Sequence, residues 1–302
     1  MKPPFANAGE LAALGTAFCW TATSLAFESA GRRIGSLAVN LIRLVMASAL
    51  LAAFCYFARG RALPTDATLE SWGWLALSGL VGFTVGDLCL FKAFVVVGSR
   101  LSMLLMSLVP PFAAAIGWFL LGENLAPLDW GGMALTVGGV AWVVLERKKG
   151  ADGAFEKRPV RGILLGIGGA FGQAAGLVLS KQGMGDYHPF AATQIRVFAG
   201  IVGFAVLFLF IGWWPRVGRA LRDGGAMART SIGAFFGPFL GVSLSLTAVR
   251  FTEAGVAATI MAIVPVLIIP PAILIRKERV SPRAVIGAVV AVGGVALLFL
   301  PG

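Results

Sequence analysis

The chain has 302 residues, of which 58% are hydrophobic and only 13% charged, with a mean hydropathy of +0.87; soluble domains carry roughly 45–50% and 25%. That excludes a water-soluble globular protein and points to one built into a bilayer. The formal net charge is +11, and no gap between apolar runs is long enough for a soluble catalytic or nucleic-acid-binding domain, so the excess Lys and Arg are assigned to loops facing anionic lipid.

Ten apolar runs of about 17 to 24 residues follow in order, each long enough to cross a hydrocarbon core of about 30 Å as a helix. They are expected near Leu11–Phe27, Leu37–Phe57, Trp72–Phe91, Leu101–Leu121, Asp129–Leu145, Gly162–Ser180, Pro189–Gly212, Thr230–Val249, Gly255–Ile275 and Ala284–Leu300. The first follows Lys2-Pro-Pro, spans fully and lacks a small-residue cleavage site, so it is read as a retained span. Residues 146–161 are mostly charged, with Arg147-Lys-Lys149 and Glu156-Lys-Arg158, and are read as a solvated linker between units 1–145 and 162–302.

Those units repeat. Lys92–Leu145 lies without a gap on Thr247–Leu300 at an offset of 155, with Pro110 on Pro265, Glu123 on Glu278, Pro127 on Pro282 and Val137-Gly-Gly-Val-Ala141 on Val292-Gly-Gly-Val-Ala296. About thirteen positions are identical, where chance in such a composition gives about six. The opening helices match at an offset of 153, with Ala17-Phe18 on Ala170-Phe171 and Ile42-Arg43 on Ile195-Arg196. Five spans per unit is an odd number, so the second unit enters from the opposite side. The expected fold is all-α: ten transmembrane helices in two inverted five-helix repeats around a central cavity.

Charge sets the expected orientation. The side bearing both termini holds Lys2, Arg59, Arg61, Lys181 and Arg250, whereas 18 of the 25 Lys and Arg fall on the other. The positive-inside rule then puts the termini outside a bacterial inner membrane. Glycines recur every fourth residue as Gly168, Gly172 and Gly176, as Gly233, Gly237 and Gly241, and as Gly82 and Gly86, faces on which helices can approach closely.

Few residues break the apolar runs, and those carry the candidate chemistry. Pro110 and Pro265 sit about ten residues into equivalent spans, where each removes a backbone hydrogen bond and bends the helix, as a hinge or as a fixed kink. Arg43 and Arg196 lie two turns into their spans, to be read as anion contacts near opposite membrane faces, or as side chains snorkelling to headgroups or pairing with helix ends. Asp87 is the one carboxylate well inside a span, a proton carrier, an amine contact or a structural hydrogen bond, and its repeat position is Val242. Glu28, Glu123, Glu253 and Glu278 sit at span ends, with cap or surface roles. Cys19, Cys55 and Cys89 show no ligand spacing and are read as small buried hydrophobes. No metal, cofactor or catalytic set is expected: there is one histidine, no H-E-x-x-H and no G-x-S-x-G.

The pattern of Trp20, Arg43, Pro110, Leu121-Gly-Glu123-Asn-Leu125 and Gly138-Gly-Val140, partly repeated as Arg196, Pro265, Arg276-Lys-Glu278-Arg-Val280 and Gly293-Gly-Val295, resembles the drug/metabolite transporter superfamily, in particular its ten-span EamA-type members. The resemblance covers nearly the whole chain, and Gln173 departs from it at the place matching Trp20. It implies a basket of helices around a cavity and export of small metabolites, amino acids among them. It also puts Trp20, Met103, Met106, Gln173, Met261 and Ser243 or Ser245 on cavity-lining helices, where thioether and aromatic groups would form an adaptable wall and Gln or Ser would orient a solute. An aromatic or hydrophobic amino acid is the expected substrate, with nucleosides or drugs as alternatives and an intramembrane enzyme or non-transporting scaffold as the rival classes. Protons are a candidate coupling ion, and the assembly is expected to be monomeric.

Overall fold

A computed structural model describes residues 7–121, 127–145, 148–149, 155–156, 159–251, 257, 260–275, 277–278 and 280–297. The chain folds as helices α1 (Ala8–Ile34), α2 (Ser36–Arg59), α3 (Leu69–Gly79), α4 (Asp87–Leu105), α5 (Val109–Leu121) and α6 (Pro127–Val144). After the linker come α7 (Val160–Met184), α8 (Pro189–Ile211), α9 (Trp214–Ala220), α10 (Gly224–Ala234) and α11 (Val242–Phe251). The last helices are α12 (Val264–Leu267), α13 (Ile269–Leu274) and α14 (Pro282–Leu297). Within the linker two short strands, β1 (Lys148–Lys149) and β2 (Phe155–Glu156), pair antiparallel. Five stretches are long and apolar enough to cross a membrane, Ser36–Arg59, Leu69–Ile116, Val160–Met184, Pro189–Ile211 and Gly224–Phe251, with shorter apolar helices from α6 and from Val264 onward. Apart from that two-residue pairing in the linker the described residues are helical, and the protein is a polytopic membrane protein.

The run Leu69–Ile116 is twice the length one crossing needs, and it turns a corner at Gly98. There the backbone adopts φ 83° and ψ 162°, a region closed to residues with a Cβ, so one pass ends at Val97 and the next starts at Ser99. Glu28 of α1, 1% exposed, accepts the Ser99 N–H at 2.8 Å and an ion pair from Arg32 at 3.0 Å. The carboxylate thus caps the restarting helix, the cap role expected for it. Gly35, at φ 85°, makes the equivalent corner between α1 and α2.

Both halves share irregularities that no residue pattern announces. Leu80–Gly86 and Phe235–Gly241 are wider π-helical turns, and they coincide at the offset of 155. The α-helix is interrupted before both prolines. A 3₁₀ turn at Met106–Leu108 precedes Pro110, and a break around Ile263 precedes Pro265, in each case beside the carbonyl four residues back that the proline cannot bond.

The inversion can be read from one helix pair. A Cβ on Gly139 of α6 would lie 2.7 Å from the Ala291 nitrogen of α14, and a Cβ on Gly294 of α14 would lie 2.4 Å from the Thr136 nitrogen of α6. These contacts exchange under the offset of 155, as a two-fold axis demands. Gly139 also meets Gly287 while Gly294 meets Gly132, so the equivalent helices run antiparallel and the axis crosses them. That axis lies in the membrane plane.

The glycine faces divide into two kinds. Gly172 and Gly176 of α7 meet the backbone of Gly86 and Gly82, with Cβ positions 2.6 and 3.0 Å from their Cα atoms. Gly233, Gly237 and Gly241 instead receive Phe27, Thr23 and Trp20 from α1. Each half therefore lays its first helix against the π turn of the other. Cys19 and Cys55 are buried free thiols, as read from the sequence, and Cys89 is half-buried.

Candidate functional site

A charged cluster lies where α2, α7, α8 and the first π turn meet. The π turn ends at Gly86, and Asp87 follows as the first residue of α4, 4% exposed. Two turns into α2, Arg43 forms an ion pair with Asp87 Oδ2. Gln173 Nε2 of α7 donates to Asp87 Oδ1 at 2.6 Å and to the Gly82 carbonyl at 3.3 Å; a widened turn of this kind leaves carbonyls open to side chains. Asn40, one turn before Arg43, accepts from Arg43 Nε at 3.2 Å and donates to the Asp87 carbonyl at 3.2 Å. Both Asp87 oxygens are engaged, and the pair is dry enough that its attraction has to offset a large desolvation cost.

Arg196 joins from α8. It is 4% exposed, its Cζ stands 4.9 Å from the Phe83 ring, and Arg43 Cζ stands 5.7 Å from the same ring. This corrects the expectation that the two arginines lie near opposite membrane faces. Each is the eighth residue of its helix, and a rise of about 1.5 Å per residue plus a long side chain brings both to the middle of the bundle. Arg196 forms no ion pair among the described residues, and its Nε has no hydrogen-bond partner.

The apolar residues singled out from the sequence gather beside this cluster. Met103 and half-buried Trp20 and Met106 pack with Phe27, Phe91 and Phe94, and Trp20 also packs with Met261. Arg43 Cζ lies 4.4 Å from the Phe91 ring and 5.4 Å from that of Phe27, so the charged and apolar groups share a boundary. Ser243 is fully buried, with no partner for its hydroxyl, whereas Ser245 bonds its own helix at the Val242 carbonyl. Asn40 and Phe83 were missed. Asn40 is a polar residue three positions from Arg43 on the same face, which was a usable signal, but a phenylalanine among 22 offers none.

The ends of the bundle are tied by charge. At the end near α1's start, Asp66 takes Arg59 at 2.5 Å and the Tyr187 hydroxyl at 2.8 Å, and Arg250 reaches the Tyr187 carbonyl. Burial, then the bond to Asp66, pushes the Tyr187 phenol up to about 12. A cavity of about 420 Å³ opens here, lined by Asp66, Glu70, Trp74, Asp186 and Tyr187. At the opposite end Arg33 forks onto Asp223 at 3.0 and 3.1 Å, and Arg100 meets Glu278 at 3.2 Å. No group of three or more metal-ligating side chains occurs among the described residues.

Two antiparallel repeats enclosing a buried charged cluster define the class: a polytopic carrier built from inverted halves. The model of the EamA-like transporter family matches residues 7–145 and again 160–300, and the chain belongs to that family. It is a membrane transporter of small molecules. A protein of Clostridium kluyveri described as an uncharacterized transporter is 24% identical over 220 residues, covering 72% of this chain and 68% of its own. A crystal structure with 17% identity superposes with a TM-score of 0.64 over 97% of this chain and 96% of that one, a likeness of fold.

Proposed function

We propose that the protein exports amino acids, those with aromatic or hydrophobic side chains first, by alternating access between its inverted halves. The observation that carries this is the shared boundary between the Arg43–Asp87–Gln173–Arg196 cluster and the wall formed by Trp20, Phe27, Phe91, Met103 and Met106. A zwitterion with an apolar side chain matches both surfaces at once, whereas a sugar phosphate would call for more clustered cations. Asp87, as the deep carboxylate, is the candidate proton carrier. The charge bias supports an orientation with the termini outside a bacterial inner membrane. Trp118, Trp130, Trp142, Trp213 and Trp214 serve as interfacial anchors. The chain acts as a monomer, without cofactor or nucleic-acid partner.

The test is uptake into proteoliposomes of radiolabelled amino acids, nucleosides and cationic drugs. Saturable flux of phenylalanine or leucine is expected. Flux of nucleosides or drugs, with none of any amino acid, would reject the substrate while leaving a carrier.

A further inference from the structure

We propose that Arg196 is the receptor for the substrate's carboxylate, and that Arg43, its repeat counterpart, is not. This rests on the reading that the substrate is an amino acid and assigns the residue that would hold it. The two arginines occupy equivalent positions, each the eighth residue of its helix, but their surroundings differ. Arg43 is neutralised by Asp87, steadied by Asn40, and stacked on Phe91 at 4.4 Å. The carboxylate that would repeat Asp87 in the second half is Val242. Arg196 is therefore left 4% exposed, with Nε unpartnered and with no carboxylate of its own among the described residues. It makes no hydrogen bond to Asp87, whose two oxygens take Arg43 and Gln173.

A desolvated guanidinium with open donors costs stability unless something anionic completes it, and its planar fork suits a carboxylate. Glycine at 82 is what lets these groups approach the π turn: a Cβ there would lie 3.4 Å from Arg196 Nη2, 3.7 Å from the Gly176 Cα and 4.0 Å from Gln173 Oε1, so a donor and an acceptor stand side by side at this point. The donor fits a carboxylate and the acceptor fits an α-ammonium group. Cluster charge agrees: two guanidiniums and one carboxylate make a net positive site that an incoming carboxylate neutralises. Thus the repeat's lost carboxylate is the one the substrate supplies.

The experiment uses the full-length protein, wild type and Arg196→Gln, with three probes: L-phenylalanine, 3-phenylpropionate and phenethylamine. In proteoliposomes, 3-phenylpropionate should compete with phenylalanine uptake and phenethylamine should not, and Arg196→Gln should raise the half-saturation for phenylalanine by about tenfold or more. In detergent, 3-phenylpropionate should raise the melting temperature of wild type but not of Arg196→Gln, a readout that does not need flux. Equal stabilisation by chloride at the same concentration would overturn the carboxylate claim. Unchanged phenylalanine uptake by Arg196→Gln would overturn the role of Arg196 and keep the amino acid reading. Absence of phenylalanine uptake in wild type, with selective stabilisation by 3-phenylpropionate intact, would reject the amino acid and keep the site. No uptake and no stabilisation would reject both.

Discussion

Removing the Asp87 charge would leave the buried Arg43 guanidinium with nothing to balance it. Asp87→Asn is therefore expected to cost about 3–5 kcal/mol, the usual penalty for breaking a buried pair, seen as a lower melting temperature in detergent. Arg43→Gln should act in the same direction. Arg196→Gln should act in the opposite one in ligand-free protein, because it removes a buried guanidinium that forms no ion pair among the described residues and whose Nε has no hydrogen-bond partner; a fall in melting temperature would show that Arg196 is already satisfied. If Asp87 carries the proton, Asp87→Asn protein that remains folded keeps downhill exchange but loses accumulation driven by a pH gradient. These three residues were visible one by one, since a charge in an apolar run stands out. Their meeting was not visible. It depends on the π turn before Asp87, which adds a residue to one turn and so rotates the following side chains by about 100°.

At the level of helices, close packing decides the outcome of small changes. A methyl group on Gly172 would sit 2.6 Å from the Gly86 Cα, and backbone cannot yield there. Gly172→Ala should lose about 1–3 kcal/mol, whereas Gly138→Ala, with open space around its Cβ position, should be neutral or gain up to about 1 kcal/mol from helix propensity. Paired melting curves compare them directly. The α10 cap offers a pH handle. The Ala226 N–H and the Arg33 guanidinium hold the Asp223 carboxyl below its usual range. Its stabilisation is complete above the unfolded carboxylate value and is lost as pH falls through the lower folded one. Amide exchange at the start of α10 should rise over that acidic window in wild type and already be high at neutral pH in Asp223→Ala, which has no side-chain oxygen to cap the helix. The glycine faces were legible as spacing, but spacing alone did not say that one set meets glycine and the other meets aromatic rings.

For the whole molecule, the prolines give the sharpest test of a moving carrier. Pro110 and Pro265 stand at equivalent breaks in inverted halves. Pro110→Ala and Pro265→Ala should then shift cysteine accessibility towards opposite sides of the membrane while the protein stays folded. Shifts of the same sign, or unchanged transport, would make them fixed kinks. The repeat and its inversion were readable because an ungapped offset and an odd number of spans require them. The shared π turns were not, because Leu80–Gly86 and Phe235–Gly241 have only their two glycines in common.

That likeness of backbone and unlikeness of side chains also sets the carrier's resting position. Two copies matched in every residue would open to either side at equal free energy, like a balanced seesaw. Here α7 presses Gln173 against the turn that leads to Asp87, whereas α1 presses Trp20 against the turn that leads to Val242. In an alternating-access carrier such a difference breaks the degeneracy, and the empty protein is expected to rest in whichever state keeps Asp87 paired. Leaving that parking place unloaded is uphill, while a bound solute offsets the climb. Exchange of one labelled molecule for another across the bilayer should therefore run faster than net one-way flux, and preloading the far side should speed uptake on the near side.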